Sequence, residues 1–118
     1  MAVVSVADGV LTVEVEGWDR FWALKSRIEI PLRHVRGATV DPGILREPKG
    51  IKAPGTHFPG VIVAGTFRRD GEKVFWDVKN PEKAVVIELV EEAYARLVVE
   101  VADPRATLAL VEQALRTV

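Results

Sequence analysis

Val61-Ile62-Val63-Ala64-Gly65-Thr66-Phe67-Arg68-Arg69-Asp70-Gly71-Glu72-Lys73-Val74-Phe75-Trp76-Asp77-Val78 is the stretch that decides the fold. An apolar run reaches Arg69, Asp70-Gly71 favours the positive φ of a tight turn, and Val74, Trp76 and Val78 alternate with Phe75 and Asp77 on the return. That is an antiparallel hairpin, and its two-residue period recurs on both sides. Upstream, Leu11, Val13 and Val15 oppose Thr12, Glu14 and Glu16, and Arg27-Ile28-Glu29-Ile30 repeats the pattern before an extended piece from Val35 to Asp41. Downstream, Asn80-Pro81-Glu82-Lys83 is a turn, since Pro81 has no N–H for a ladder. Val85, Ile87 and Leu89 form the next strand, and Leu97, Val99 and Val101 the one after it. Asp8-Gly9 turns a short strand at residues 2–6 back onto the Leu11 strand.

Two helices interrupt the series. Trp18, Phe21 and Trp22 at i, i+3 and i+4 predict a short amphipathic helix over residues 18–24. The second is C-terminal: Asp103 is a good N-cap, Pro104 suits the first helical position, and Leu108, Val111 and Leu115 make one apolar stripe. Residues 42–60 hold Pro42, Pro48, Pro54 and Pro59 with Gly43, Gly50, Gly55 and Gly60, a density that forbids regular helix or central strand and predicts a long irregular loop.

The 118 residues fit one domain, residues 1–118, large enough to bury a core without staples. Lys+Arg number 16 and Asp+Glu 17, so the net charge of -1 supplies no basic field for nucleic acid. No cysteine is present, which removes disulfides, thiolate metal sites and a cysteine nucleophile together. The first residues lack the basic start and long apolar run of a secretory signal, and the longest apolar runs are of strand length. The expectation is a cytoplasmic protein with no transmembrane segment.

Ile30-Pro31-Leu32-Arg33-His34-Val35 resembles the hydrophobic–Pro–Leu–x–x–Ile/Val passage with which bacterial pleckstrin-homology-like (PH-like) domains end one strand and turn into the next. The strand order and final helix agree with that family across most of the chain. The residue 18–24 helix and the Pro/Gly-rich loop depart from its usual pattern. The resemblance implies a mostly β fold: an antiparallel barrel of about seven strands, capped by the C-terminal helix and carrying the short inserted helix. It implies a binding or assembly module rather than an enzyme, with no cofactor.

Three chemistries compete. Arg46, Lys49, Lys52 and His57 lie in the 42–60 loop, and Arg20 and Lys25 in the 18–24 connection. In a PH-like fold the two connections meet at one mouth, where these groups could accept an anionic lipid head group or phospho-ligand; simple solvation of loop charges is the competing account. Glu91 and Glu92 near the same mouth would oppose an anion. The second option is a protein partner or self-association through an unpaired sheet edge. Val86, Val90 and Val98 make the last strands apolar on both faces, so either a partner or the 42–60 loop covers them. Phe75 and Trp76 pose the same choice, one aromatic pointing to each face. The third option is a small enzyme centred on His57, with Asp77 or Asp41 to orient it. No nucleophile–base spacing accompanies it, and two histidines without His-x-x-x-His spacing argue against a metal. The reading adopted is a self-associating binding module, with the anion-binding mouth as its alternative.

Overall fold

The computed structural model describes residues 1–16, 27–41, 43, 51–58 and 62–117, with residues 51–58, 62 and 69 described by their backbone alone. Nine strands and one helix stand among the described residues: β1 (Ala2–Ala7), β2 (Val10–Val15), β3 (Arg27–Pro31), β4 (Val35–Val40), β5 (Ile51–Phe58), β6 (Ile62–Arg69), β7 (Glu72–Val78), β8 (Ala84–Leu89), β9 (Arg96–Glu100) and α1 (Pro104–Arg116). The expected hairpins form where the turn chemistry placed them. Asp8 and Gly9 have φ of 52° and 75°, and Asp70 and Gly71 of 53° and 80°. Both central residues are therefore left-handed, which matches the twist of the flanking strands.

The strands do not close into one antiparallel barrel among the described residues. They form a sheet of three, β1-β2-β3, and a sheet of six, β4-β8-β9-β7-β6-β5. A single parallel bridge, Ala2 to Val101, joins the two. Instead of a meander, β9 inserts between β8 and β7 and runs parallel to β7, with Phe75 opposite Leu97 and Asp77 opposite Val99. Its Leu97, Val98 and Val99 are buried to both sides. A run apolar on both faces belongs at the centre of a sheet, and that preference overrides sequential pairing.

The second correction concerns the expected 42–60 loop. Its later part is β5, paired antiparallel with β6. Pro54 is compatible with this strand because β5 lies at the sheet edge and the register slips by one residue between Lys52 and Gly55. The 18–24 helix lies outside the described residues.

The main core lies between the sheets: Leu11, Val13, Ile28 and Ile30 meet Phe75, Val85, Ile87, Leu97 and Val99. The far face of the larger sheet holds a second apolar cluster, including Val63, Phe67, Val74, Trp76, Val86 and Val98, and this face is buried too. Val86 and Val98 are thus not a free surface, and Phe75 and Trp76 are both interior, one in each cluster. Of the segments expected to cover this face, residues 18–24 and most of the 42–60 loop outside Gly43 and β5 lie outside the described residues.

Helix α1 begins as its sequence dictates. Asp103 Oδ1 accepts the Ala106 N–H at 3.1 Å, and Pro104 occupies the first turn. Val111 is fully buried in the main core, with Ala114 and Leu115 packed at its rim. The helix lies chiefly on β4 and also touches β1 and β8, which seals the open end between the two sheets. Among the described residues, no helix is long and apolar enough to cross a membrane.

Candidate functional site

Sheet edges are where this architecture leaves main-chain hydrogen-bonding groups unmatched, and among the described residues four strands stand at edges: β1, β3, β4 and β5. Natural proteins blunt edges with charge, proline or a bulge, because an open edge invites another strand. Three of the four are blunted. β3 carries Arg27 and Glu29, ion-paired at 3.3 Å, and ends on Pro31. β4 has Arg36 at a register slip between Val35 and Gly37 and lies under α1. β5 has Lys52, Pro54 and its own slip. Only β1, Ala-Val-Val-Ser-Val-Ala, has no charge, no proline and no slip.

The direction of its main-chain groups follows from one hydrogen bond. Glu16 N–H donates to the Met1 carbonyl at 3.0 Å, so Met1 and Glu16 are a hydrogen-bonded pair. Pair type alternates along an antiparallel ladder, so Val3, Ser5 and Ala7 turn their amides toward β2. Ala2, Val4 and Val6 turn theirs to the free edge. Ala2 is held there by its bridge to Val101; Val4 and Val6 have no hydrogen-bond partner for these groups among the described residues.

Beside this edge runs a groove of about 330 Å3. Its walls are Val3 and Val4 of β1 and Ala106, Thr107 and Leu110 of α1, with Val101 at the base. The lining is mostly apolar, with Asp103 and Thr107 as its polar members. Met1, Val3 and Leu110 are the exposed large hydrophobic residues among those described, at 38%, 47% and 39%, and Val3 and Leu110 both line this groove. Exposed apolar side chains thus gather where main-chain amides stand unmatched.

The residues singled out in the sequence fall elsewhere. Lys52 and His57 are on β5, at the opposite edge of the larger sheet, and their side chains lie outside the description. Arg20, Lys25, Arg46 and Lys49 lie outside the described residues, as does the mouth they were expected to form. Glu91 and Glu92 face His34: Glu92 Oε2 meets its Nδ1, and Glu91 Oε2 is 3.9 Å from Nε2. With the Val90 N–H donating to the His34 carbonyl at 2.9 Å, this contact fastens the β8–β9 loop to the turn that follows β3. The Glu92 carboxylate is taken up in this contact, whereas Glu91 stays largely exposed.

Asp77 points into the inter-sheet core and is 1% exposed, with its carboxylate 3.5 Å from the Met1 α-amino group. Burial raises its pKa above the usual carboxylate value, and the ammonium group partly offsets this. Asp41 instead accepts the Gly43 N–H at 3.0 Å, so it stabilises a local turn. The Thr66 hydroxyl pairs with that of Tyr94 at 3.0 Å. A polar recess between Arg36, Glu72, Glu88 and Arg96 holds two charges of each sign, which leaves no net field for an ion. No protein-family model, no curated protein and no solved structure matches this chain, so the β1 edge and its groove stand on their own geometry as the candidate site.

Proposed function

We propose that this protein is a non-catalytic binding and assembly module, and that it takes up an uncharged, proline-free extended polypeptide segment as a strand added to β1. The observation that carries the reading is the coincidence of an unguarded edge with an apolar groove. Main-chain groups of Val4 and Val6 supply direction, and the groove wall at Leu110 supplies apolar contact. A charged or proline-containing segment would leave a charge in the groove or an amide unmatched, so the same features set selectivity.

The PH-like reading of the fold is compatible with this function and is retained as part of the proposal. Two features support it. Pro31 ends β3 and Leu32–His34 makes a single 3-10 turn into β4, as the family passage would. The C-terminal helix packs across the open end of the sheets. The proposed site does not use the 42–60 mouth.

The test is a dye-labelled peptide copying residues 2–7, flanked by lysines for solubility and titrated with the protein while anisotropy is followed. Saturable binding is expected, and Leu110→Asp should remove it while leaving the far-ultraviolet dichroism unchanged. A peptide that fails to bind, or binds Leu110→Asp equally well, rejects the groove as the site.

A further inference from the structure

We infer that the strand received by this edge is β1 of a second copy of the chain, paired antiparallel about a two-fold axis at Ser5. The inference rests on the strand-addition reading above and adds the partner and the register. It begins from the segment's own chemistry: β1 is itself the uncharged, proline-free extended segment that the groove selects.

The register follows from where the edge is free. Ala2 is engaged with Val101, and the left-handed Asp8-Gly9 turn ends the strand at the other side. The free stretch therefore runs from Val3 to Ala7, and Ser5 is its midpoint. A two-fold axis there sets Val4 opposite the partner's Val6, and Val6 opposite the partner's Val4. Those are the residues whose amides turn outward, so each such pair exchanges two main-chain hydrogen bonds. Sliding the partner strand by one residue would set Val4 opposite the partner's Ser5, whose amide is already committed to β2. An axis at Val4 would ask Ala2 to leave its bridge.

Side chains agree with this register. Val3 would stand beside the partner's Ala7, and Ser5 beside the partner's Ser5, with no charge in either strand. Glu14 of β2 and Glu16 just beyond it would lie off the axis, three strand spacings across and at least four residues along from their counterparts, about 20 Å or more. Repulsion over that distance is largely screened at physiological salt, whose Debye length is about 8 Å. The arrangement is also closed: each copy uses the same edge, so pairing consumes both and stops at two. The merged sheet would then end at β3 on either side, and β3 is guarded by Arg27, Glu29 and Pro31.

The chain contains no cysteine, so one introduced thiol can cross-link only between copies. Residues opposite each other in a non-hydrogen-bonded antiparallel pair have Cα atoms about 4.5 Å apart, within disulfide reach. Under mild oxidation at micromolar concentration, Ser5→Cys should convert most chains to a disulfide-linked dimer. Val3→Cys and Ala7→Cys should each remain mostly free of disulfide-linked dimer alone and cross-link when mixed. Light scattering on the unaltered chain should give twice the monomer mass. Equal cross-linking of Val3→Cys with itself overturns the register. A chain that stays monomeric at high micromolar concentration, yet binds the labelled peptide, overturns the second copy as occupant and leaves strand addition standing. A chain that does neither removes both.

Discussion

Replacing Val111 by alanine tests whether α1 is seated as described, because Val111 is the fully buried side chain of that helix. The change removes two methyl groups from the core, a transfer loss of about 1.6 kcal/mol at about 0.8 kcal/mol each. A residual void of about 50 Å3 adds about 1.2 kcal/mol where the surroundings do not relax. Alanine is the better helix former by about 0.6 kcal/mol, which opposes these losses. The balance is a destabilisation of about 2 kcal/mol, a large share of the stability of a small domain. With a urea slope of about 1.5 kcal/mol per molar, the unfolding midpoint should fall by about 1.5 M. Urea titrations at one fixed protein concentration, followed by tryptophan fluorescence and far-ultraviolet dichroism, measure this directly. Glu112→Ala is the internal control, one residue away, exposed and outside the groove, and should change stability by less than about 0.5 kcal/mol. Equal losses in the two variants would mean that the helix presents a different face to the core, and the groove wall assigned to Leu110 would go with it.

Asp77→Asn isolates the buried carboxylate. Its raised pKa means that the folded chain holds this proton to higher pH than the unfolded chain does. The contribution of Asp77 is therefore fully favourable below the ordinary carboxylate pKa and is lost as pH rises through the raised one. The stability of Asp77→Asn relative to the unaltered chain should consequently grow from acid toward neutral pH, as urea midpoints across that range would record; parallel profiles refute the assignment. Gly71→Ala places a Cβ on a residue at φ 80° with nothing within 4 Å of it, so its cost is purely conformational, about 1 kcal/mol. Gly71→Asn should recover part of that loss in thermal unfolding, and an alanine variant as stable as the original would argue against the left-handed turn.

Local chemistry was legible where it acts over a few residues. Asp8-Gly9 and Asp70-Gly71 specify their turns, and Asp103-Pro104 specifies the start of α1, because each device works within about four residues of itself. Pro54 hid β5, since proline argues against a strand unless the strand is known to lie at an edge. The insertion of β9 between β8 and β7 depends on which apolar runs are buried to both sides, and alternation alone reports just one. The candidate site escaped for the same reason. That residues 2–7 lack charge and proline was visible, but the absence matters only for a strand at an edge, and edges are decided by pairing across the whole chain. The cationic residues drew attention by their type; His34 and Glu92, 58 positions apart, meet only once the sheet is assembled.

The bridge between Ala2 and Val101 ties residues 99 positions apart in the chain. At ribosomal speeds of about 5–20 residues per second, Val101 emerges about 5–20 s after Ala2. For most of that interval the β1-β2-β3 sheet has neither its bridge, nor α1, nor the completed larger sheet to cover its apolar face. A nascent chain on a crowded polysome would thus expose its most adhesive strand throughout that interval. Neighbouring nascent chains would offer one another the same strand before either had finished folding.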